Sequence, residues 1–261
     1  MCSSDLVDYL VYKLNEFQVL LYDGIVVIST SLEGYFSNYA RKILKVPILC
    51  DSDLINVLTP PRLDPNSPFK ICFAGYIKCE KEGFDILFEA FFRVNQDYRT
   101  ELFLYGILED TDRNTLEKLS DEYCLRDNVF YMGNIAPEKL QDEFRKYNLL
   151  ILPRPLKNRT KYGFSTKLSE YLVSGIPVLV TDVSDNALYI RDGFNGYIIS
   201  PGSASAMADK ILEIIRDYNW QAEIVIKNAH QTAREKFDYR LFSHDYVNFF
   251  WSQNKITEIE K

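Results

Sequence analysis

Histidine is almost missing from this chain of 261 residues, which holds only His230 and His244. Its five cysteines, Cys2, Cys50, Cys72, Cys79 and Cys124, are irregularly spaced and form no C-x-x-C pair. A zinc centre therefore has no ligand set, and an odd, scattered thiol count suits a reducing cytoplasm better than a disulfide framework. Cys72 stands inside an apolar run, where a buried thiol is expected. No stretch of eighteen or more apolar residues occurs, so hydropathy offers no membrane-spanning helix. The first residues lack the cationic, apolar and small-residue order of a signal peptide. Basic residues are not in excess: 30 Lys and Arg face 37 Asp and Glu, a formal net charge of −7. That argues against a nucleic-acid partner, which needs a basic stripe, but leaves room for one local cationic pocket. No G-x-G-x-x-G is present, which sets aside a dinucleotide oxidoreductase. No acidic cluster suited to Mg²⁺ follows the first complete strand, which weighs against a flavodoxin-like or response-regulator-like domain.

What is present is an alternation. Apolar runs of strand length lie at 25–29, 47–49, 70–74, 102–105, 129–132, 149–152, 178–181 and 196–199. Most are continuous rather than alternating, as strands buried on both faces of a parallel sheet require. Helix-length amphipathic stretches at 84–96, 111–125, 137–146, 165–174 and 205–218 separate them. Pro137 suits the first turn of its helix, and Gly175 followed by Pro177 closes the helix before it. The reading is α/β, a doubly wound parallel sheet of Rossmann-like type. Residues 56–68 carry Pro60, Pro61, Pro65 and Pro68 and read as an extended linker. Before it stand two strand candidates and two helices, too little to cover a parallel sheet on both faces. Residues 1–58 are thus expected to be the end of a partial domain that begins outside the chain. The linker proper is set at 59–68, the Rossmann-like domain at 69–237, and a C-terminal helix packing back toward the N-terminal part at 238–261. The aromatic residues of 238–254 recur at helical spacing and read as a packing face.

Ligands of an open parallel sheet bind beyond the carboxyl ends of its strands, and three stretches place unusual residues there. The first is Gly75 through Gly83. Gly75 lets the chain leave the sheet closely, and Lys81 precedes the next helix, whose free N–H groups and partial positive charge attract anions. A solvated, mixed-charge loop is the alternative. The second runs from Leu149 through Arg154 and Pro155 to Tyr162-Gly163-Phe164-Ser165-Thr166-Lys167-Leu168-Ser169-Glu170. A helix opens near Ser165, and Glu170 lies one turn beyond Thr166. Its two acceptor oxygens could take both hydroxyls of a ribose; pairing with Lys167 or facing water is the alternative. The third, Gly175–Asp182 with Asp192–Tyr197, reads by itself as helix, turn and buried strand.

Jointly, these stretches resemble glycosyltransferase family 4, the group 1 glycosyltransferases of the two-domain GT-B fold. Residues 75–91 match G-x-x-x-x-x-K-(D/E)-G-x-D-x-L-x-x-A-F, residues 152–178 match L-P-R-P…G-F-(S/P)-T-K-L-x-E-Y-L-x-x-G-x-P-V, and residues 192–197 match D-G-x-N-G-Y. The similarity covers about residues 66–235 and implies the C-terminal, nucleotide-sugar-binding half of that fold. It implies that Lys81 and Glu170 are the catalytic pair, Lys81 facing a diphosphate and Glu170 the ribose. The donor would also meet Gly75, Lys78, Arg154 and the backbone around Phe164, Ser165, Thr166, Lys167 and Leu168, with Gly133, Asn134 and Ile135 near the base. The implied reaction is sugar transfer with retained configuration from a nucleoside diphosphate to an acceptor hydroxyl, in polysaccharide or glycoconjugate synthesis of a bacterial type. No cofactor and no structural metal are implied; the nucleotide sugar is a substrate. The acceptor would be a sugar, lipid-linked or small molecule, and a lipid-linked one would bring the protein to a membrane surface through its other domain. Two positions depart from the pattern. Tyr162 stands where the first of two family glutamates is common, and Tyr76 where an arginine is common, with Lys78 as a substitute cation. A non-catalytic nucleotide-sugar-binding module, or an inactive fragment, is the alternative reading.

Overall fold

The structure is a computed structural model that describes residues 16–53 and 59–251. Its N-terminal part is small. Strand β1 (Ile25–Val27), helix α1 (Thr30–Phe36) and strand β2 (Ile43–Lys45) form a parallel two-stranded sheet. The second strand lies earlier than the 47–49 expected from the apolar run. Pro47 has no N–H to donate, so the ladder stops after Val46 donates to the Val27 carbonyl at 2.9 Å.

The larger part follows residues 59–68, which have no regular structure. It contains β3 (Phe69–Ala74), α2 (Cys79–Glu82), α3 (Phe84–Asp97), β4 (Thr100–Tyr105), α4 (Asp110–Glu122), β5 (Val129–Gly133) and α5 (Pro137–Phe144). Then come β6 (Leu149–Leu152), α6 (Asn158–Tyr162), α7 (Thr166–Val173), β7 (Val178–Thr181), α8 (Asn186–Tyr189), β8 (Tyr197–Ile199), α9 (Ala204–Lys236) and α10 (Ser243–Phe250). Six parallel strands run in the order β5-β4-β3-β6-β7-β8. This is the doubly wound α/β sheet expected, in the 3-2-1-4-5-6 order of dinucleotide-binding sheets.

The continuous apolar runs are explained by burial. Every residue of β6 and β7 is buried, as are five of the six in β3. Helices α3 and α9 pack on each other, and α9 also crosses α7. Helix α9 is 33 residues long and runs far past the expected end at 218. Its buried stripe continues through Ala222, Val225, Ile226, Ala229 and Ala233. Alanine carries little hydrophobic signal but keeps the helical spacing and permits close approach, so the polar Asn219-Trp220-Gln221 is only an outward turn.

The chain beyond α9 returns to the N-terminal part. Cys50 N–H donates to the Phe237 carbonyl at 2.8 Å, and Ser52 N–H to Asp238 Oδ2 at 3.2 Å. Helix α10 lies beside β2, with Lys42 Nζ donating to the Phe249 carbonyl at 2.9 Å. Only part of its aromatic face packs. Phe249 reaches Gly24, but Tyr239, Val247, Phe250 and Trp251 are exposed, so the packing face expected over 238–254 is found on one side alone, within its described residues.

The carboxyl ends of β3 and β4 approach closely. Gly75 N–H donates to the Tyr105 carbonyl and Gly106 N–H to the Gly133 carbonyl, each at 2.9 Å. Gly106 has φ +129°, and a Cβ there would lie 1.8 Å from the Gly75 carbonyl oxygen. Gly106→Ala should therefore destabilise the chain by about 3 kcal/mol, combining backbone strain with overpacking. Gly34→Ala, inside α1 with nothing within 4 Å of the added carbon, should stabilise it by about 0.5–1 kcal/mol. Urea unfolding of both variants checks the pair.

Candidate functional site

From β3 the chain winds to β4 on one side, and from β6 it winds to β7 on the other. Between β3 and β6 the connections part and leave a crevice at the carboxyl ends of the strands. Three segments line it: α2, the chain after β6, and the start of α7. A concavity of about 560 Å³ near Leu63, Tyr98, Ile215 and Asn219 lies at the amino ends of β3 and β4, the wrong end for such a ligand.

At the centre of the crevice sits a carboxylate with no exposed surface, Glu82. Arg154 Nε donates to its Oε2 at 3.0 Å and Arg154 Nη2 to its Oε1 at 3.2 Å. Lys167 Nζ donates to Oε1 at 3.1 Å, and Lys81 Nζ stands 3.7 Å from the same oxygen. Three cations thus share one anion, and the crevice keeps a positive excess in a net acidic chain. Burial would push the Glu82 carboxyl up, but Lys167 and Arg154 outweigh it and hold the group below its usual value. Lys167 is brought down to about 8, by burial first, against the pull of Glu82. Lys81 is also lowered, by burial and then by Arg154.

The Lys167 stem crosses the sheet edge at Gly75. A Cβ on Gly75 would fall 1.9 Å from Lys167 Cε, and Lys167 Nζ lies 4.7 Å from the centre of the Phe73 ring. Gly75 therefore makes room for a lysine, beyond easing the exit from the strand.

Helix α7 opens beside this cluster with Ser165 as its N-cap residue. The amides of Thr166 and Lys167 are in its first turn, where no carbonyl of the same helix can reach them. The Ser165 hydroxyl oxygen is buried without a hydrogen-bond partner in the structure. One turn on, Glu170 is open to solvent, yet its carboxyl is raised, by partial desolvation against the opposing pull of Lys167. It stands on a walled but uncovered surface. Lys167 pairs with Glu82 and not with Glu170.

Lys81, Arg154, Lys167 and the start of α7 therefore come together, with Glu170 beside them. Other expected contacts do not. Lys78 turns away to Glu109 and to Asp112, 3.0 Å from the latter, so two carboxylates neutralise it and it supplies no substitute cation. Tyr76 donates to the same Glu109. Phe164 is a wall residue, stacked on Tyr189 at 5.5 Å and packed on Phe237. Leu168 is fully buried and its amide is taken by the Ser165 carbonyl at 3.0 Å, which removes it as an anion donor. Gly133 ends the edge strand β5 and Asn134 and Ile135 follow it, two strands from the cluster; Asn134 is exposed and Ile135 packs on the core.

Two features are not evident from the sequence. Glu82 lies in a stretch of mixed charge, although Cys79, three residues earlier on the same face of α2, is also buried and marks that face as inward. The N-terminal part also touches the crevice wall. Thr30 N–H and Oγ1 donate to Asp185 Oδ2 at 2.8 and 3.0 Å, and Ser29 Oγ donates to the Tyr162 carbonyl at 2.6 Å. The Tyr162 ring meets Tyr35 edge-on at 5.8 Å.

Residues 60–232 match the model of the family described as Glycosyl transferases group 1. The chain belongs to this family. It is 27% identical over 240 residues to the poly(ribitol-phosphate) alpha-N-acetylglucosaminyltransferase of Staphylococcus aureus, covering 84% of this chain and 46% of that protein. An uncharacterised glycosyltransferase of Methanocaldococcus jannaschii is 21% identical over 180 residues, 69% of this chain and 44% of its own length. The chain thus spans under half the length of these relatives. Among solved structures, Thermosynechococcus elongatus sucrose-phosphate synthase superposes with a TM-score of 0.76 at 20% identity, over 91% of this chain and 60% of the other. An S. aureus TarM mutant in complex with UDP also gives 0.76, at 19% identity, over 92% and 46%. These likenesses establish that the fold is part of the GT-B architecture. Among the described residues no helix is long and apolar enough to cross a membrane.

The burial of Lys167 has a measurable consequence. Its folded-state pKa of about 8 lies below the ordinary 10.5, so between those values the unfolded chain binds more protons, and stability rises with pH. Relative to Lys167→Met, the natural chain should gain up to about 3 kcal/mol as pH rises from 8 to 10.5, and the difference should be flat below 8. Urea unfolding at half-unit pH steps tests this; a pH-independent difference contradicts it.

Proposed function

We propose that this chain is the donor-binding half of a retaining glycosyltransferase that uses a nucleoside-diphosphate sugar. The observation that carries the reading is the convergence of Lys81, Arg154 and Lys167 at the switch point, beside the open amides of α7, with Glu170 one turn along the same helix. In this reading the cations and amides hold the diphosphate, and Glu170 accepts hydrogen bonds from the ribose hydroxyls. Gly133, Asn134 and Ile135 would face the base. The family membership and the UDP in the TarM complex support a nucleotide ligand.

The chemical task is stabilising charge as the sugar leaves its diphosphate. Donors already fixed in place and aimed at the departing oxygens need little reorganisation, and loss of one such donor typically costs about 2.7–4 kcal/mol in the transition state. The acceptor would be held by the other domain of a GT-B enzyme; residues 1–58 would be the end of that domain, residues 59–68 the linker, residues 69–237 the donor-binding domain, and the stretch from residue 238, with α10, would return toward the first domain, the part of it at 252–261 lying outside the described residues.

A binding module without turnover is the second reading, and Tyr162 favours it. At this position, where the resemblance has a glutamate, the aromatic ring packs on Tyr35 and offers no carboxylate to a sugar. Transfer and hydrolysis assays on the longest form of the protein separate the two.

A thermal-shift panel of UDP, GDP and ADP with their sugars tests the binding claim. A ligand at a hundredfold excess over its Kd should raise stability by about 2.7 kcal/mol. Glu170→Ala should weaken the best nucleotide by about 1.5–3 kcal/mol with an unchanged ligand-free melting temperature. Equal affinity of variant and parent for every nucleotide would remove Glu170 from the site.

A further inference from the structure

An anion is out of place in the middle of an anion-binding crevice. On charge alone Glu82 opposes a diphosphate, and its removal would tighten binding. Yet it is the most buried charged group of the crevice and stands against Lys81, Arg154 and Lys167 together. Those cations come from three separate segments. Without a shared counter-charge, Arg154 and Lys167 would repel each other, and Lys167, already enclosed between Phe73 and Gly75, would shed its proton or swing out.

We propose that Glu82 is a positioning residue of the donor site, holding Arg154 and Lys167 in the one arrangement that meets the diphosphate, with the Lys167 stem lodged in the space that Gly75 leaves. The inference rests on the diphosphate reading of the crevice. The two-point grip of Arg154 on Glu82 fixes the plane of the guanidinium, as bidentate pairs do. The single bond from Lys167 leaves that ammonium two further protons for a ligand. Glu82 touches no substrate; it sets where the charges sit and whether Lys167 is charged. The groups facing Lys167 are Glu82 and Lys81 from α2, Arg154 from the chain after β6, and Glu170 on its own helix.

The test is UDP binding by calorimetry between pH 6.5 and 9.5, for the natural chain, Glu82→Gln, Glu82→Asp and Gly75→Ala, with circular dichroism confirming folding. In the natural chain, UDP affinity should fall as pH climbs through about 8, where Lys167 discharges. Glu82→Gln should weaken UDP binding about tenfold at pH 6.5 and move the pH break downward, because Lys167 has lost its counter-charge. Glu82→Asp keeps the charge but shortens the reach by one methylene. It should weaken binding several-fold and leave the pH break in place. Gly75→Ala should weaken UDP with every charged group intact. Should Glu82→Gln or Gly75→Ala fail to fold, Glu82→Asp decides alone. UDP affinity equal to or tighter than the parent's in Glu82→Asp, or in a folded Glu82→Gln, with an unmoved pH break, overturns the proposal. If the natural chain binds none of UDP, GDP and ADP, the diphosphate reading itself falls and takes this inference with it.

Discussion

A carboxylate with no exposed surface keeps its charge only if cations are brought to it. Glu82 brings them from three segments. It stands at the end of α2, and its partners come from the chain after β6 and from the first turn of α7. The sheet order makes that meeting possible, because β3 and β6 are adjacent and their connections diverge. A buried ion pair is weak evidence for stability, since desolvation can exceed the attraction. Here one anion shared among three cations leaves uncompensated positive charge in an enclosed place. That is an expensive arrangement for a fold alone and a useful one for an anionic ligand.

The surroundings are built around this point. Gly75 gives its side-chain space to Lys167, and Gly106 lets the Gly75 carbonyl approach, so the carboxyl ends of β3 and β4 stay flush. The first turn of α7 adds open amides and the positive end of a helix dipole. Asp185 on the far wall accepts from Thr30, and α10 and the return of the chain at Asp238 bind the small N-terminal sheet from behind.

Much of this was legible before the structure. Continuous apolar runs announced β3, β4, β6 and β7, because strands covered on both faces have no polar side to alternate with. Lys81, just after a strand, and Glu170, one turn into a helix, could be picked out by position, whereas Arg154 and the Lys167 backbone came only with the family resemblance. The errors have local causes. Pro47 moved β2 toward the amino terminus, and alanine concealed the second half of α9. Lys78 and Glu82 were exchanged in importance, since a four-residue helical turn gives too short a period to tell its inner face from its outer one. No pattern in the chain announces that Thr30 meets Asp185, as that contact depends on how two parts of the chain lie together.

The most direct measurement is a crystal structure of this protein with UDP bound. The diphosphate is expected within hydrogen-bond reach of Lys81, of Lys167 or Arg154, and of the Thr166 and Lys167 amides, with the ribose hydroxyls at Glu170. A nucleotide bound elsewhere, or one seated in the crevice with Glu82 broken away from both Arg154 and Lys167, would contradict it.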